Sequence, residues 1–285
     1  MKFVPLKPKY FFLILIVVNC LLSPLTNAET VQSWKEIDRY YKKNQINIFN
    51  LQDSKIKKLK IYTSIPEDFT SLENVKKKKE IFFLIAYPLI YEANKNIKIE
   101  RQRIQNIEKK YKNKTISPED IQELKKLGKK YKLNTDLVDR IVFKKLLQRI
   151  NVIPVSLALG QAIIESGWGQ SRFAIKGNAL YGQWTYDQQQ GLIPEKRDID
   201  KNHAVKKFNT LEDSVKSYMF NINTHPAYSD FRVVRRLTSA LRLKSTSVNY
   251  KIQFLAAYAE IGQKYVDKLE IILETNNLKR FDKFN

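Results

Sequence analysis

The stretch Val152-Ile-Pro-Val-Ser-Leu-Ala-Leu-Gly-Gln-Ala-Ile-Ile-Glu-Ser-Gly-Trp-Gly169 is apolar for most of its length and carries one carboxylate, Glu165, near its end. Pro154 suits the first turn of a helix, where its missing N–H is not needed. The two glycines that follow Ser166 can adopt backbone conformations that end a helix. The pattern therefore predicts a buried helix over residues 154–166, around which the rest of the chain packs.

The position of Glu165 on this helix indicates catalysis. A buried carboxyl group is costly as an anion, so it either forms an ion pair or has a raised pKa. A proton held near neutral pH is what a general acid needs. Residues 177–184 (GNALYGQW) follow closely and supply the aromatic, amide and glycine groups of sugar-binding loops. The alternative is an ordinary solvated or ion-paired glutamate at a helix end.

Residues 1–28 have the pattern of a secretory signal peptide. Three lysines precede a short apolar run, and the segment ends at Ala28, a small residue of the kind at which signal peptidase cleaves. A membrane anchor is the alternative, but Asn19 and Pro24 interrupt the stretch. Asn19 also argues against lipidation at Cys20, where a small residue would precede the cysteine. We expect an exported protein of the periplasm or cell envelope, either free or tethered.

Cysteine and histidine, which form zinc sites and carry thiol chemistry, are nearly missing from the sequence. Cys20 is the only cysteine, and the two histidines, His203 and His225, lack the spacing of a zinc pair. No Gly-x-Ser-x-Gly elbow is present in the sequence. We therefore expect no metal and no cofactor.

The chain is strongly basic, with a formal net charge of +22 that falls to +19 without the three lysines of the signal segment. In an exported protein this charge favours anionic envelope polymers or membrane surfaces over nucleic acid. Residues 29–150 carry 29 basic and 16 acidic residues, whereas residues 151–285 carry 19 and 13. We expect the amino-terminal helices to hold a monomeric protein on the envelope. A solvated lysine coat without a partner is the alternative.

The patterning along the chain predicts an α+β fold that is mainly α. Residues 29–130 indicate a basic helical extension with a buried helix that Pro88 kinks, and a further helix that starts at Ser117 and stops near Gly128. Residues 131–285 form the main domain, without a Gly/Ser linker before it. The helix predicted after Asn134-Thr135 is expected to bury Leu137, Ile141, Val142 and Leu146.

The second half of the domain combines a small β hairpin with helices. Residues 183–186 and 203–208 have the pattern of two strands joined by a polar loop. Thr210 begins a capping box, and helical patterns continue to residue 243. A last long pattern, residues 248–273, places Tyr258 and Tyr265 largely on one side. A cleft is expected between the helices and the hairpin lobe.

Four segments together resemble the Bax-type glucosaminidase proteins of Gram-negative bacteria, a mannosyl-glycoprotein endo-beta-N-acetylglucosaminidase-like group related to flagellar muramidases. They are PVSLAL from Pro154, ESGWGQSRFA from Glu165, GNALYG from Gly177 and NINTHPAY from Asn221. The resemblance covers most of the chain after the signal segment. It implies a lysozyme-like fold, peptidoglycan glycan strands as the substrate and cleavage of the bond after N-acetylglucosamine.

The resemblance also assigns roles to residues. The family's acidic catalyst falls on Glu165, and its tyrosine near the end of the domain falls on Tyr258, with Tyr265 following. A phenol near the anomeric centre can orient water or stabilise developing charge. Both tyrosines also fit core positions at helical spacing.

The second catalytic group is less defined by the sequence. Glycosidases that use two carboxylates place a base or nucleophile across the scissile bond. The hairpin loop offers four carboxylates, and Glu195 is our choice among them. The alternative is substrate assistance, in which the N-acetyl group of the sugar attacks the anomeric carbon.

The aromatic and amide side chains near the hairpin are the predicted sugar contacts. Trp168 fits a stacking platform or a core anchor, and Asn178 and Gly182 fit either ligand contacts or turn geometry. The predicted substrate-binding residues are Trp168, Asn178, Tyr181, Gly182, Trp184 and Tyr265. Three functions fit these residues: a hydrolase, a lytic transglycosylase that uses the same acid without water, and a non-catalytic wall-binding protein.

Overall fold

The computed structural model describes residues 28–53, 58–194, 204–240 and 248–282, and it confirms the mainly α, α+β class. The helices are α1 (Trp34–Lys43), α2 (Val75–Lys112), α3 (Pro118–Lys130), α4 (Arg140–Arg149), α5 (Val155–Ser166), α6 (Arg172–Gly177), α7 (Leu211–Thr224), α8 (Ser229–Ala240), α9 (Val248–Ile252) and α10 (Gln263–Thr275). Short 3₁₀ turns occupy Glu67–Ser71, Gln188–Gln190, Pro226–Tyr228, Gln253–Tyr258 and Leu278–Asp282. The predicted signal segment lies outside the described residues, apart from Ala28.

The strands form two small sheets. β1 (Ala28–Glu29) pairs in parallel with β2 (Ile61–Tyr62), and the second sheet contains β3 (Trp184–Thr185), β4 (Gly191–Leu192) and β5 (Ala204–Lys206). β5 lies between β3 and β4 and is antiparallel to both, so the predicted two-stranded hairpin is wrong in strand number. Gly191 makes the close pairing with β5 feasible, because a Cβ there would lie 2.4 Å from the Cβ of Ala204.

Helix α5 is the centre of the molecule, as its composition predicts. It packs against α2, α10 and the turn Leu278–Asp282, and all of its residues except Ile164 and Glu165 are buried. A helix that is apolar all round is stable only inside a core. Gly160 permits the close approach of α10, because a Cβ there would lie 2.8 Å from a Leu269 methyl group.

Polar groups from distant parts of the chain fix the start of α5. The buried Asn94 side chain of α2 donates to the Ile153 carbonyl at 2.8 Å and accepts from the Ile153 amide at 3.0 Å. The Asp282 carboxylate accepts from the Ser156 amide at 2.9 Å and from its hydroxyl at 2.5 Å. Pro154 provides no side-chain cap, so Asp282 takes the role of a helix cap from the other end of the chain.

The region around α3 and α4 differs from the prediction. α3 continues past Gly128 to Lys130, so the glycine does not end the helix. It permits close packing instead, because a Cβ there would lie 2.4 Å from Thr135 Cγ2. α4 begins only at Arg140, where the Asp139 side chain accepts from the Val142 amide and caps the helix. Val142 and Leu146 are buried as predicted. Leu137 and Ile141 are 72% and 58% exposed, so the prediction that they are core residues is wrong.

Two longer helical patterns also resolve differently. α2 remains one helix across Pro88, which it buries in the core. The pattern at residues 248–273 is broken into α9, a 3₁₀ turn and α10. Ala259 is extended and Gly262 has a φ of +55°, and together they interrupt the helix between Tyr258 and Tyr265. The expected continuous helix is therefore wrong, although both tyrosines lie in one cluster.

One hydrophobic cluster runs from α1 to the turn at Leu278–Asp282 and includes residues on both sides of position 130. The predicted division into an extension and a main domain stays a prediction. Among the described helices, none is long and apolar enough to cross a membrane.

Candidate active site

Glu165 lies at the carboxyl end of α5, where the helix stops one residue later. Gly167 adopts the left-handed conformation with a φ of +57°, and its amide donates to the Ile163 carbonyl. The Ser166 hydroxyl accepts from the Gly169 amide at 2.8 Å and closes the turn. The rigid core thus holds the backbone of Glu165, and its half-buried side chain reaches the surface of the domain.

Burial raises the pKa of the Glu165 carboxyl above its usual range. A hydrogen bond from Tyr265 and the charge of Lys268 act in the opposite direction, but they contribute less than burial does. Glu165 therefore holds a proton at higher pH than an exposed glutamate. This is the property that a general acid requires.

A chain of buried hydrogen bonds stands behind Glu165. The Tyr218 hydroxyl donates to Gln161 Oε1 at 2.6 Å, and Gln161 Nε2 donates to the Tyr265 hydroxyl at 3.0 Å. The Tyr265 hydroxyl in turn donates to the Glu165 carboxylate. Gln161 is fully buried one helical turn before Glu165, so α5 itself carries both groups.

Tyr258 lies beside this chain. Its ring stacks on that of Tyr265, with centroids 5.2 Å apart, and its hydroxyl donates to the Tyr181 carbonyl at 3.3 Å. Burial, then the neighbouring Tyr265 and Glu165, raise the pKa of Tyr258 well above its usual value. Tyr258 is therefore neutral at physiological pH and can act as a hydrogen-bond donor.

An open cleft of about 660 Å³ exposes Glu165 to solvent between the helices and the β sheet. A cleft of this volume can hold a few sugar rings. Aromatic rings, amides and two carboxylates line it. The lining residues are Glu165, Tyr181, Gly182, Gln183, Trp184, Tyr186, Asn221, Tyr228, Tyr258, Ala259 and Glu260.

The β-sheet side of the cleft presents two aromatic rings to solvent. Trp184 is 56% exposed and Tyr186 is 86% exposed. Exposed aromatic rings beside a cleft can contact a ligand, since aromatic side chains line many ligand sites. Their flat faces suit the C–H faces of sugar rings, while Gln183 and Asn221 offer amides for hydroxyl groups.

Gly182 forms the wall of the cleft next to the Glu165 carboxylate. Its φ is +57°, and a Cβ at this position would lie 3.1 Å from Glu165 Oε2. A side chain would therefore both strain the backbone and push on the carboxylate. The glycine lets the loop backbone approach the acid closely.

Comparisons with known proteins agree with this geometry. A family model described as mannosyl-glycoprotein endo-beta-N-acetylglucosaminidase matches residues 141–278, a range that contains every residue of the cleft lining. The protein bax of Escherichia coli (strain K12) is 31% identical over 202 residues, which cover 70% of each chain. The chain belongs to the Bax-type glucosaminidase family. No solved structure matches it. Family membership supports a glycosidase-like function for this Bax-type protein.

The structure brings most of the predicted site residues of this Bax-type protein together. Tyr181, Gly182, Trp184 and Tyr258 line the cleft beside Glu165. Tyr265 is buried behind the acid and reaches it through its hydroxyl group, so it lies outside the cleft lining. Its position fits an influence on the acidity of Glu165 better than the predicted contact with substrate.

Two predicted sugar contacts lie outside the cleft. The ring of Trp168 packs edge-on against Phe82 and Phe83 of α2, with centroids 5.7 and 5.6 Å away, because its left-handed backbone turns it towards that helix. Asn178 is the left-handed cap of α6 and donates to the Phe208 and Asn209 carbonyls. Both residues thus serve packing or turn geometry and are not part of the cleft lining, and their contact with substrate stays a prediction.

The predicted second carboxylate, Glu195, stays a prediction. Glu195 lies outside the described residues, and Asp187 caps a 3₁₀ turn away from the cleft lining. Glu260 lines the cleft instead, two residues after Tyr258. Sequence reasoning missed Glu260 because residues 248–273 have the pattern of one continuous helix, which does not single out this position.

Asn221 and Tyr228 are further cleft residues without a predicted role, although both belong to the NINTHPAY segment that carries the resemblance. Asn221 hydrogen-bonds the Tyr228 hydroxyl, which fixes one edge of the cleft. Among the described residues, no group of three or more His, Cys, Asp or Glu side chains is arranged to hold a metal ion.

Proposed function

We propose that this protein is a peptidoglycan hydrolase, an N-acetylglucosaminidase that cleaves the glycosidic bond after N-acetylglucosamine. The observation that carries this is the protonatable Glu165 at the floor of an open, aromatic-lined cleft. Family membership and the 31% identity to the protein bax support the same chemistry. Because α5 is buried in the core, it holds the backbone of Glu165 in a fixed position.

In the first step, Glu165 transfers its proton to the leaving glycosidic oxygen. The bond between this oxygen and the anomeric carbon breaks as the new O–H bond forms, and Glu165 becomes an anion. Tyr265 donates a hydrogen bond to this anion, which stabilises it as charge develops. The hydroxyl group thus favours the product state of the proton transfer.

In the second step, a nucleophile attacks the anomeric carbon. On one route, Glu260, which lines the same cleft, takes a proton from an attacking water molecule. On the other route, the oxygen of the substrate's N-acetyl group attacks first, and water then opens the ring that forms, with Glu165 accepting the proton of that water. Glu195 stays a candidate base from the sequence alone.

Sugar rings are expected to stack on Trp184 and Tyr186 on the β-sheet side of the cleft. Stacking of aromatic rings on sugars gives a pre-formed platform at low entropic cost, because the sheet fixes Trp184. Gln183 and Asn221 are placed to bind hydroxyl and N-acetyl groups. The residues before the described part of the chain have the pattern of an export signal, so we place this activity in the periplasm or cell envelope.

Mass spectrometry of fragments released from purified peptidoglycan tests the function. The proposed hydrolase releases fragments with N-acetylglucosamine at a hydrated reducing end. A lytic transglycosylase would release anhydro sugars instead, and a wall-binding protein would release none. The Glu165→Gln variant serves as the inactive control, since it keeps the shape of the side chain but has no transferable acid proton.

A further inference from the structure

A second, basic cavity shares no lining residue with the cleft and lies between α4, α8 and the loop after α3. Its volume is about 210 Å³. Three cationic and two neutral polar side chains line it, together with two aliphatic ones, and the lining contains no carboxylate. The polar lining residues are Lys145, Gln148, Arg149, Ser229 and Arg232.

The two arginines are held by the backbone and not by acids. Arg149 Nη1 donates to the Tyr131 and Lys132 carbonyls at 2.7 and 2.5 Å. Arg232 Nη1 donates to the Ile222 and His225 carbonyls at 3.1 and 2.7 Å. The hydrogen bonds found within the described residues thus use one nitrogen of each guanidinium. The rest of each planar fork, which has five N–H donors in all, remains for a ligand.

The charge of this cavity is not compensated within the described chain. No described carboxylate lies within 4 Å of a side-chain nitrogen of Lys145, Arg149 or Arg232. Asp230 is the nearest acid in sequence. It is exposed, accepts from the Ser229 hydroxyl at 3.3 Å and does not line the cavity.

Arg232 is unusual because it is only 6% exposed, so its charge is largely removed from water. Burial, and then the charge of Arg149, lower the pKa of Arg232 to about 10. The guanidinium still carries its full charge at neutral pH. Two such cations near each other repel, and an anion between them would remove this cost.

We propose that this cavity binds a phosphate group. Arginine forks match the oxygens of phosphate in pairs, and an ammonium, a hydroxyl and an amide provide donors for its remaining oxygens. The exposed Lys145 stands at the rim, where it admits and holds the ligand, and Arg232 forms the buried base. The site is separate from the cleft and does not depend on the glycosidase chemistry.

Phosphate can reach this site as a lipid headgroup or as a soluble phosphate. The two sources share the same phosphate chemistry. A headgroup would place the domain on an anionic membrane surface, in line with the strong positive charge of the chain. A soluble phosphate would act as a small ligand of the protein.

The test measures binding by the full chain at constant ionic strength. One arm titrates inorganic phosphate against a chloride control, with the melting temperature and calorimetry as readouts. The other arm measures co-sedimentation with phosphatidylglycerol vesicles against phosphatidylcholine vesicles. Saturable binding in either arm supports the site and identifies the source, whereas its absence from both arms overturns the proposal.

Lys145→Glu and Lys144→Glu form a matched pair for both arms. Both lysines are exposed on α4, and only Lys145 lines the cavity, so either charge reversal leaves the fold intact. We expect Lys145→Glu to weaken phosphate or vesicle binding by at least about tenfold and Lys144→Glu by less than about twofold, since only the former acts at short range. Equal effects of the two variants would show non-specific attraction and overturn the site.

Discussion

Tyr265 accepts a hydrogen bond from Gln161 at 3.0 Å and donates one to Glu165. A phenol oxygen that accepts from the Gln161 amide turns its own proton elsewhere, and here it points to the carboxylate. Burial raises the pKa of Glu165 while this hydrogen bond lowers it. The acidity of Glu165 therefore depends on opposed effects, of which the largest are burial in the core and the hydrogen bond from a single hydroxyl group.

Tyr265→Phe is expected to raise the pKa of Glu165. The change removes a donor to the anionic form and leaves the effect of burial less opposed. A general acid works only while protonated, so the fall of kcat/KM at high pH should move to higher pH when this hydrogen bond is lost. The pH profile on a short soluble glycan measures this shift.

Tyr131→Phe is the control for that experiment. The Tyr131 hydroxyl also donates to a carboxylate, Glu100 at 2.6 Å, but at a distance from the cleft. The Tyr131→Phe change should lower the melting temperature without moving the pH profile of kcat/KM. If the Tyr265→Phe profile stays in place or moves to lower pH, the hydroxyl does not set the acidity of Glu165.

Glu165→Gln is expected to abolish cleavage and to stabilise the fold. Loss of a general acid costs about 10² to 10⁴-fold in rate. The raised pKa means that the folded state holds the Glu165 proton more tightly than the unfolded state does. Stability is therefore lost as the pH rises from the usual pKa of a glutamate to the raised pKa of the folded state. Removing the ionisable group should therefore raise the melting temperature at pH 7 but not near pH 4. Wild-type turnover, or a lower melting temperature at pH 7, would contradict this prediction.

The sequence predicts the local features of this site well. The pattern predicts a helix over residues 154–166, and α5 occupies Val155–Ser166, because a continuous apolar pattern between proline and glycine allows few alternatives. The position of Glu165 at its end follows directly. The aromatic residues of the following loop, Tyr181 and Trp184, also reach the cleft as predicted.

What the sequence does not predict depends on contacts between distant segments. Trp168 follows Glu165 by three residues, yet the partner that takes its ring is α2, more than eighty residues earlier. Glu260 reaches the cleft only because Gly262 interrupts a helical pattern. Asp282 caps α5 from 126 residues away. Periodicity records which face of an element is apolar, but not which distant element covers it.

Gly182→Ala is expected to reduce turnover through geometry alone. The new methyl group would lie 3.1 Å from Glu165 Oε2, so the carboxylate has to move. The shift needed at this distance is a few tenths of an ångström, so turnover should fall by less than the roughly 10²-fold that a misplacement of about 1 Å costs. Steady-state kinetics should show the loss mainly in kcat, since the sugar contacts remain.

Gly167→Ala separates this effect from backbone strain. Gly167 has the same φ of +57°, but no atom lies within 4 Å of a Cβ placed there. Both variants should lose stability by about 1–2 kcal/mol, the cost of a left-handed alanine, as measured by chemical denaturation. Only Gly182→Ala should lose turnover to the extent expected for a displaced acid. A similar loss of turnover in both variants would mean that strain, and not the contact with Glu165, matters.

Glu260→Gln decides how the second half of the reaction proceeds. If Glu260 activates water in the cleft that it shares with Glu165, its loss should lower turnover by about 10² to 10⁴-fold, nearly as much as Glu165→Gln does. Glu67→Gln is the matched control, because Glu67 is an exposed glutamate outside the cleft lining and its loss should have no effect.

Glu195→Gln tests the loop carboxylate in the same assay. A strong effect at Glu195 with a mild one at Glu260 would transfer the role of base to the loop. Mild effects at both positions would exclude a second carboxylate and leave the N-acetyl group of the substrate as the nucleophile, in which case a substrate without that group should not be cleaved.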